Sequence, residues 1–515
     1  MKTKLLFLLI SLLGIKTYSQ NYILDNSFGG SGLVTTTFGS NDNYITSIEL
    51  QADGKILACG SSYENGNFSN LVISRYNVDG TLDNSFGILG KVTTSISNNN
   101  ITSLFKIKLQ SDGKILIGGT TGTSMSTADF ILLRLNTDGS FDNSFGTNGT
   151  TITDINNKSN IAYSIEVQSD YKILLAGRTD TDSEFDNFAV IRYNSNGVLD
   201  DSFGNLGIVN LNIGNSNSQA SLDGVSSIKL QSNGKILLGG SSDATSAVEQ
   251  YNFTVIRLNT DGTLDNSFGN AGKIITDMGG REEIISLDVT TDDKIIAGGH
   301  QWDDSTTKIC LAKYNINGAL DTTFGVNGIV LTQINNIIMN DTNYQTSLQS
   351  DGKILCIGSS NDNFLMVRYN TNGTLDNSFN TIGYLTTDFF GGNDAAFSSI
   401  NQSNGNIILG GGATNLIPNV TFALAKYKVE NLSNISFLNY KGFKLYPNPT
   451  TTKIYIDNLK NDLITEINIF DMQGKTVLKE KDNFNQINIE NLNSGIYNLK
   501  INTETKSYNY KIIKE

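Results

Sequence analysis

The side chains best suited to chemistry gather in one short segment of the sequence. His300 and Trp302 are the only histidine and tryptophan of the chain, and Asp303 and Asp304 follow directly. A tryptophan can stack on a sugar ring while neighbouring carboxylates accept hydrogen bonds from its hydroxyls. We therefore predict that these four residues form a binding site. The alternative interpretation is an ordinary surface loop.

The same inventory argues against catalysis. A single histidine excludes a His and Cys cluster at metal-ligand spacing, and the Gly-x-Ser-x-Gly motif of serine hydrolases is absent. We expect no catalytic residue, no bound metal and no enzyme activity. Two alternatives stay open, namely paired loop carboxylates of a carbohydrate-active enzyme and calcium at clustered loop acids.

Composition narrows the class of partner. The 515 residues include 37 Lys and Arg against 50 Asp and Glu, a formal net charge of -13. Nucleic acid is therefore an unfavourable partner, because phosphate binding needs clustered basic residues. Cys59, Cys310 and Cys356 are an odd number and lie inside apolar strand patterns, so we expect buried thiols rather than disulfides.

The first residues have the pattern of a secretory signal peptide. Lys2 and Lys4 precede an apolar run from Leu5 to Leu13, which is too short to span a bilayer. We expect residues 1–19 to be removed by cleavage between Ser19 and Gln20. No other segment is apolar enough for a transmembrane helix.

The elements that must position any site come from a repeat. The hexapeptide Leu-Asp-Asn-Ser-Phe-Gly recurs with small variations every 55 to 65 residues. Spacing of this kind indicates an array of similar units. The seven copies begin at Leu24, Leu82, Phe141, Leu199, Leu264, Leu320 and Leu375.

Each unit contains four short candidate strands, A to D, joined by tight turns such as Asp112-Gly113. Four antiparallel strands repeated radially predict an all-β fold, a seven-bladed β-propeller over residues 20–430. The seventh unit lacks its own hexapeptide, whereas a spare copy stands at Leu24. We therefore expect the N-terminal strand to complete the last blade, which leaves no open sheet edge.

Two kinds of residue recur in every unit and predict structural roles. A cation in strand C should pair with a carboxylate or a loop carbonyl between blades, because an unpaired buried charge is costly. The alternative is a ring of cations around a channel. The hexapeptide supplies the carboxylates Asp25, Asp83, Asp142, Asp200, Asp265, Asp321 and Asp376, and it supplies the apolar plugs Phe28, Phe86, Phe145, Phe203, Phe268, Phe324 and Phe379.

The loops divide into two faces. The A–B turns and C–D connections form a face that is nearly the same in every unit, here called the framework face. The B–C and D–A loops form the variable face, where length and chemistry differ. Because function concentrates in loops on a rigid scaffold, we predict binding on the variable face. Drift in unconstrained loops is the alternative.

The repeat stops after Lys428, and residues 431–442 are predicted to be a linker. Residues 443–515 alternate apolar and polar side chains in short runs, a pattern typical of a small Ig-like β-sandwich. The acid excess of the propeller region is absent from this part, which also indicates a separate domain.

The last domain resembles the type A C-terminal sorting domain of cargo of the type IX secretion system of Bacteroidota. The resemblance rests on Tyr446-Pro447-Asn448-Pro449, on Ile469 to Lys475, on Leu492 to Tyr497 and on the closing Lys511-Ile512-Ile513-Lys514. It implies Sec export, transport across the outer membrane, and cargo that is released or attached to surface lipopolysaccharide. The motif residues are Pro447, Pro449, Gly474, Gly495, Lys511 and Lys514.

Residues 24–428 resemble the delta-60 repeat family through the Leu-Asp-x-x-Phe-Gly and Asp-Gly-Lys-Ile-Leu patterns. The resemblance implies a β-propeller and adds little about function. We therefore predict a secreted or cell-surface binding or adhesion protein for a glycan or protein ligand. A secreted carbohydrate-active enzyme and a passive surface scaffold are the alternatives.

Overall fold

The computed structural model describes residues 20–39, 42–64, 67–94, 101–122, 124–180, 186–213, 223–243, 251–302, 306–334, 344–414, 419–430, 443–458, 463–471, 475–482, 484–504 and 506–515. Within these ranges the chain forms β-strands and one short 3₁₀ turn, Met125–Thr127. The predicted all-β architecture is confirmed. The signal peptide and the linker lie outside the described residues and stay predictions.

Seven antiparallel sheets, numbered first to seventh, fill the described part of the unit that ends at Glu430. The A strands are β3 (Asn43–Leu50), β7 (Ile101–Leu109), β11 (Asn160–Val167), β15 (Gly224–Leu230), β19 (Arg281–Val289), β23 (Gln345–Leu348) and β27 (Asp394–Asn401). The B strands are β4 (Ile56–Glu64), β8 (Ile115–Gly122), β12 (Ile173–Asp180), β16 (Ile236–Ser242), β20 (Ile295–Trp302), β24 (Ile354–Ser360) and β28 (Ile407–Thr414).

The outer half of each sheet holds the longer C strand and a four-residue D strand. The C strands are β5 (Asn67–Tyr76), β9 (Asp129–Leu135), β13 (Asp186–Tyr193), β17 (Asn252–Leu258), β21 (Thr307–Tyr314), β25 (Asn363–Tyr369) and β29 (Val420–Glu430). The D strands are β6 (Lys91–Thr94), β10 (Thr150–Thr153), β14 (Ile208–Leu211), β18 (Lys273–Thr276), β22 (Ile329–Thr332) and β26 (Tyr384–Thr387).

The seventh sheet takes its outer edge from the start of the chain, as predicted. Strand β2 (Leu33–Thr36) pairs with Phe422 to Ala425 of β29, and β1 (Asn21–Leu24) pairs with Tyr427 to Glu430. Each A strand contacts the A strand of the next sheet, and β27 of the seventh sheet contacts β3 of the first. The seven sheets therefore form a closed cycle with the A strands innermost.

An irregularity recurs on the inner side of the ring. The pairing of strands A and B shifts register by a β-bulge in six of the seven sheets, for example between Ala162 and Ser164. The bulge brings the A strand close to a glycine of strand B. A Cβ atom on Gly240 would lie 1.7 Å from the carbonyl oxygen of Gly224, so only glycine fits there. Bulges redirect side chains next to the extra residue.

Recurring side chains join neighbouring sheets on the framework side. Arg192 of strand C donates from Nε to Asp200 (2.7 Å) and from Nη1 to the carbonyl of Thr260 in the next sheet. Its guanidinium carbon lies 4.4 Å from the ring centre of Phe203. Phe203 itself packs on Gly262 of the next sheet. Equivalent cation–carboxylate pairs occur at Arg75–Asp83, Arg134–Asp142, Arg257–Asp265, Lys313–Asp321, Arg368–Asp376 and Lys426–Asp25.

A second cation reaches the same carboxylates from the A–B hairpin. Lys294 donates to Asp321 at 2.8 Å, and this bond is the main reason why the pKa of Asp321 falls to about 2. In Asp200, burial alone would raise the pKa, but hydrogen bonds from Lys172 and Ser202 lower it below its ordinary value. The cations of strand C thus lie between sheets with partners, which is the geometry of a structural role.

The residues from Asn431 onward form a second compact unit. One sheet contains β30 (Phe443–Tyr446), β31 (Lys453–Asn458) and β34 (Gln486–Asn488), and the other contains β32 (Ile464–Phe470), β33 (Thr476–Glu480), β35 (Gly495–Thr503) and β36 (Ser507–Lys514). Both sheets contribute to one apolar core, for example through Ile454, Ile467 and Leu499. This arrangement is the predicted β-sandwich.

Candidate functional site at the channel of the propeller

The centre of the ring holds a cavity of about 410 Å³ that every A strand lines. One position of the A strand carries charges of alternating sign over five successive sheets: Glu49, Lys108, Glu166, Lys229 and Asp288. Lys108 Nζ lies 3.9 Å from Glu49 and 3.3 Å from Glu166, and Lys229 lies 3.6 Å from Asp288. The three carboxylates outnumber the two ammonium groups, and the ion pairs link neighbouring sheets at the channel wall.

The equivalent positions of the sixth and seventh sheets carry no charge. They hold Ser347 and Ile400. Ser347 bonds to Ser399 (3.1 Å), and Asn401 donates to Ser347 (2.9 Å). Burial raises the pKa of Glu49 at the end of the charged arc, beside Ile400.

A second polar group lies where the channel meets the variable face. Arg178 stands near the end of β12 and forms an ion pair with Asp186 at the start of β13. Tyr163 is the extra residue of the β11 bulge, and burial raises its pKa against the opposing effect of Arg178. Glu283 of the fifth sheet interacts with the same guanidinium, while burial raises its pKa. Residues of the third and fifth sheets are therefore coupled electrostatically here.

The fourth sheet has a glycine at the position that corresponds to Glu283 of the fifth sheet. Its A strand begins at Gly224, and a Cβ atom there would touch Arg178 at 3.5 Å. Nε of Arg178 is buried and has no hydrogen-bond partner within the described ranges. The carboxylate of Glu283 likewise accepts no hydrogen bond from a described residue. We call Tyr163, Arg178 and Glu283 the mouth cluster.

Two carboxyl groups adjoin the mouth cluster. Asp180 and Asp186 are a cross-strand pair at the base of the B–C hairpin of the third sheet. Burial, followed by the hydrogen bond to Asp180, raises the pKa of Asp186 to about 7, although Arg178 opposes this. Asp186 is therefore easier to protonate than an ordinary aspartate.

The predicted site in the fifth sheet lies beside this cluster. His300 stands opposite Glu283 in the strand register, and it is only 5% exposed. Burial lowers its pKa to about 4, so the imidazole is neutral, and its Nδ1 has no partner among the described residues. Trp302 is 40% exposed, with the guanidinium of Arg281 4.7 Å from its ring centre. Asp303 and Asp304 lie outside the described residues, so the four-residue site stays a prediction.

Sequence inspection missed the mouth cluster although the repeat contains a signal for it. The residue that follows the recurring strand-B glycine, such as Gly60 or Gly240, is small in most units, as in Ser61, Thr120, Ser241 and Ser359. Only Arg178 and His300 carry long or ring-bearing side chains at this position. Departure from the repeat on the inner strands thus marks both polar sites.

The described ranges contain neither a cluster of metal ligands nor a long apolar helix. No three His, Cys, Asp or Glu side chains there converge as ligands of one ion. The three cysteines are buried free thiols, and no described helix has the length and apolarity to cross a membrane.

The sorting motif of the second unit is drawn together by its terminal strand. Between Pro447 and Pro449, Asn448 donates to the carbonyl of Lys511 (2.9 Å) and accepts from the amide of Ile513 (2.8 Å). Lys514 at the end of β36 pairs with Gly495 at the start of β35. Gly474 lies outside the described residues.

Family models match both units. The repeats match the domain of unknown function (DUF5122) β-propeller at 51–86, 110–145, 168–203, 231–268, 290–324 and 349–379. The propeller unit contains DUF5122 β-propeller repeats. Residues 444–515 match the secretion system C-terminal sorting domain. It is therefore a secreted or outer-surface protein handled by type IX secretion.

Solved structures resemble the chain at low identity. A catalytically inactive virginiamycin B lyase from Staphylococcus aureus with quinupristin has 11% identity and a TM-score of 0.44, covering 76% of this chain and 98% of that chain. PorZ, a surface component of the type IX secretion system of Porphyromonas gingivalis, has 12% identity and a TM-score of 0.41, and the match covers 94% of this chain and 61% of PorZ. A polysaccharide lyase has 9% identity and a TM-score of 0.44, and the match covers 81% of this chain and 98% of the lyase. No curated protein matches the sequence, and these distant likenesses do not assign a ligand.

Proposed function

We propose that the chain is a secreted or cell-surface binding protein whose glycan or protein ligand docks on the variable face at the mouth cluster. The proposal is carried by Arg178, which lies beside Gly224 of the next sheet and whose buried Nε has no partner among the described residues. Glu283 of the fifth sheet interacts electrostatically with the same guanidinium. A guanidinium N–H and a carboxylate without hydrogen-bond partners are complementary to vicinal hydroxyls or to backbone amide groups. The aromatic face of Trp302 adds a surface for stacking.

Attachment of the purified mature protein to a glycan array and to a panel of purified polysaccharides tests the proposal. Glu283→Gln keeps the shape and removes the charge, so we expect attachment to fall about tenfold, the loss of one charge-assisted hydrogen bond. Arg178→Met should reduce it at least as much. Asp201→Asn, the same chemical change at an exposed residue of the framework face, serves as the matched control. Undiminished attachment by both mouth variants would sink the proposal.

A carbohydrate-active enzyme is the second candidate, and Asp186 favours it. A carboxyl group that keeps its proton near pH 7 can act as a general acid. If so, hydrolysis or cleavage of a polysaccharide should decline as pH rises through about 7, when Asp186 loses its proton. Asp186→Asn should abolish turnover while leaving attachment in place. Release of no product from the polysaccharide panel between pH 5 and 9, a range of about two units either side of that pKa, would rule this candidate out.

A further inference from the structure

The junction of the sixth and seventh sheets differs from every other junction. At the six other junctions, the hexapeptide phenylalanine and the glycine after it contact the C–D turn of the next sheet, and at five of them the strand-C cation donates to a carbonyl of that turn. At the fourth sheet, for instance, Gly269 donates its amide to the carbonyl of Asn317 (2.9 Å), and Phe268 packs on Gly318. The seventh sheet has no such turn, because β29 runs on to Glu430.

The first residues of the described chain supply each missing contact. Arg368 donates to the hydroxyl of Tyr22 (3.4 Å) rather than to a turn carbonyl, and the ring centres of Tyr22 and Phe379 lie 5.1 Å apart. The amide of Asn380 donates to the carbonyl of Gln20 (3.3 Å). Tyr22 is 4% exposed and also donates to the carbonyl of Gly405 (3.1 Å).

Asn380 has a special place in this junction. The six other copies carry glycine there, each with positive φ, and Asn380 keeps that conformation with a φ of 47°. Its side chain accepts from the amide of Tyr22 (2.7 Å) and donates to the carbonyl of Tyr22 (3.2 Å). Asparagine thus occupies a position where glycine would adopt the positive φ at lower cost. Its side-chain amide forms hydrogen bonds with both main-chain groups of Tyr22.

We propose that Arg368, Phe379, Asn380, Gly405 and the edge of β29 form a specific peptide-binding slot. Its ligand is an extended segment with tyrosine at the third position, and the chain's own residues 20–24 occupy it. Main-chain pairing with Tyr427 to Glu430 provides affinity, and the tyrosine pocket provides selectivity, as in other cases of strand addition. The bound segment is exchangeable, so the same peptide supplied by another molecule fills the slot when the chain's own segment is absent.

The mature chain lacking residues 20–23 provides the direct test, with a synthetic peptide of sequence 20–28 as the probe. We expect saturable binding, at least tenfold weaker for the peptide with Tyr22→Ala. Asn380→Gly in the protein should weaken the peptide about tenfold, because both bonds to the main chain of Tyr22 are lost. Equal binding of the altered peptide, or no binding by a folded truncated protein, would overturn the proposal.

A second measurement does not depend on truncation. Amide hydrogen exchange of the intact mature chain should speed up at least tenfold over residues 20–24 in Asn380→Gly, while β2 at residues 33–36 stays protected. Asn377→Gly, at an exposed asparagine of the same hexapeptide, is the matched control. Exchange that is unchanged or slower in Asn380→Gly would mean that the relief of backbone strain at positive φ is at least as large as the loss of the two side-chain hydrogen bonds. The slot would then not be specific for residues 20–24.

Discussion

Gly240→Ala should destabilise the propeller by about 4 kcal/mol or more, the range of severe single substitutions. The new Cβ would lie 1.7 Å from the carbonyl oxygen of Gly224. No rotamer change can relieve an overlap between a Cβ and a backbone atom, so the bulge of the fourth sheet must break or shift. Calorimetry of the mature protein should show the propeller transition at a much lower temperature.

Gly224→Ala is the matched control in the same strand pair. Its Cβ would meet Arg178 at 3.5 Å, an ordinary contact, and alanine restricts the unfolded chain. We expect a change within about 1 kcal/mol. The transition of the C-terminal sandwich gives an internal reference, because neither glycine belongs to that unit. Similar melting temperatures for both variants would contradict the close approach at the bulge.

Arg192→Met should cost about 3–5 kcal/mol, because it leaves a buried carboxylate with too little compensation. Asp200 would keep Lys172 at 2.9 Å but lose the guanidinium at 2.7 Å. The carbonyl of Thr260 in the next sheet would lose its donor as well. Urea unfolding of the propeller at pH 7 measures the loss.

The pH dependence separates an ionic cause from a packing cause. Asp200 has a folded pKa below its unfolded value, so its contribution is present above about pH 4 and disappears as pH falls toward the lowered folded pKa. The gap between wild type and Arg192→Met should therefore narrow in acid. Arg192→Lys should be far milder, since Lys313 and Lys426 occupy this position in other sheets. A gap that does not change with pH would indicate lost packing instead.

The recurrent hexapeptide made the sheets, their order and the closing N-terminal strand predictable. Local patterns sufficed because hairpin turns and apolar alternation act over a few residues. The bulge was not predictable, since the Gly-Gly pairs of strand B do not reveal which carbonyl approaches them. The mouth cluster depends on an electrostatic interaction between Arg178 and Glu283, which are far apart in the sequence and belong to sheets separated by one other sheet.

Asn380 illustrates how a departure from a repeat acquires meaning. In the sequence it is one substitution of an expected glycine. In the structure it contacts Tyr22, 358 residues away, and so compensates for a turn that the seventh sheet lacks. Comparing units with one another locates such residues, but the partner becomes visible only in three dimensions.

The alternating charges of the channel carry a consequence of parity. In a closed ring with an even number of members, positive and negative neighbours can alternate without interruption. Seven is odd, so strict alternation would bring two like charges together at one junction. The chain avoids that conflict by ending the pattern at Glu49 and Asp288 and placing Ile400 and Ser347 between them. A seven-sheet ring with alternating charges therefore cannot be fully symmetric at its centre. Here the sixth and seventh sheets form an uncharged side of the channel, opposite the charged side formed by the other five.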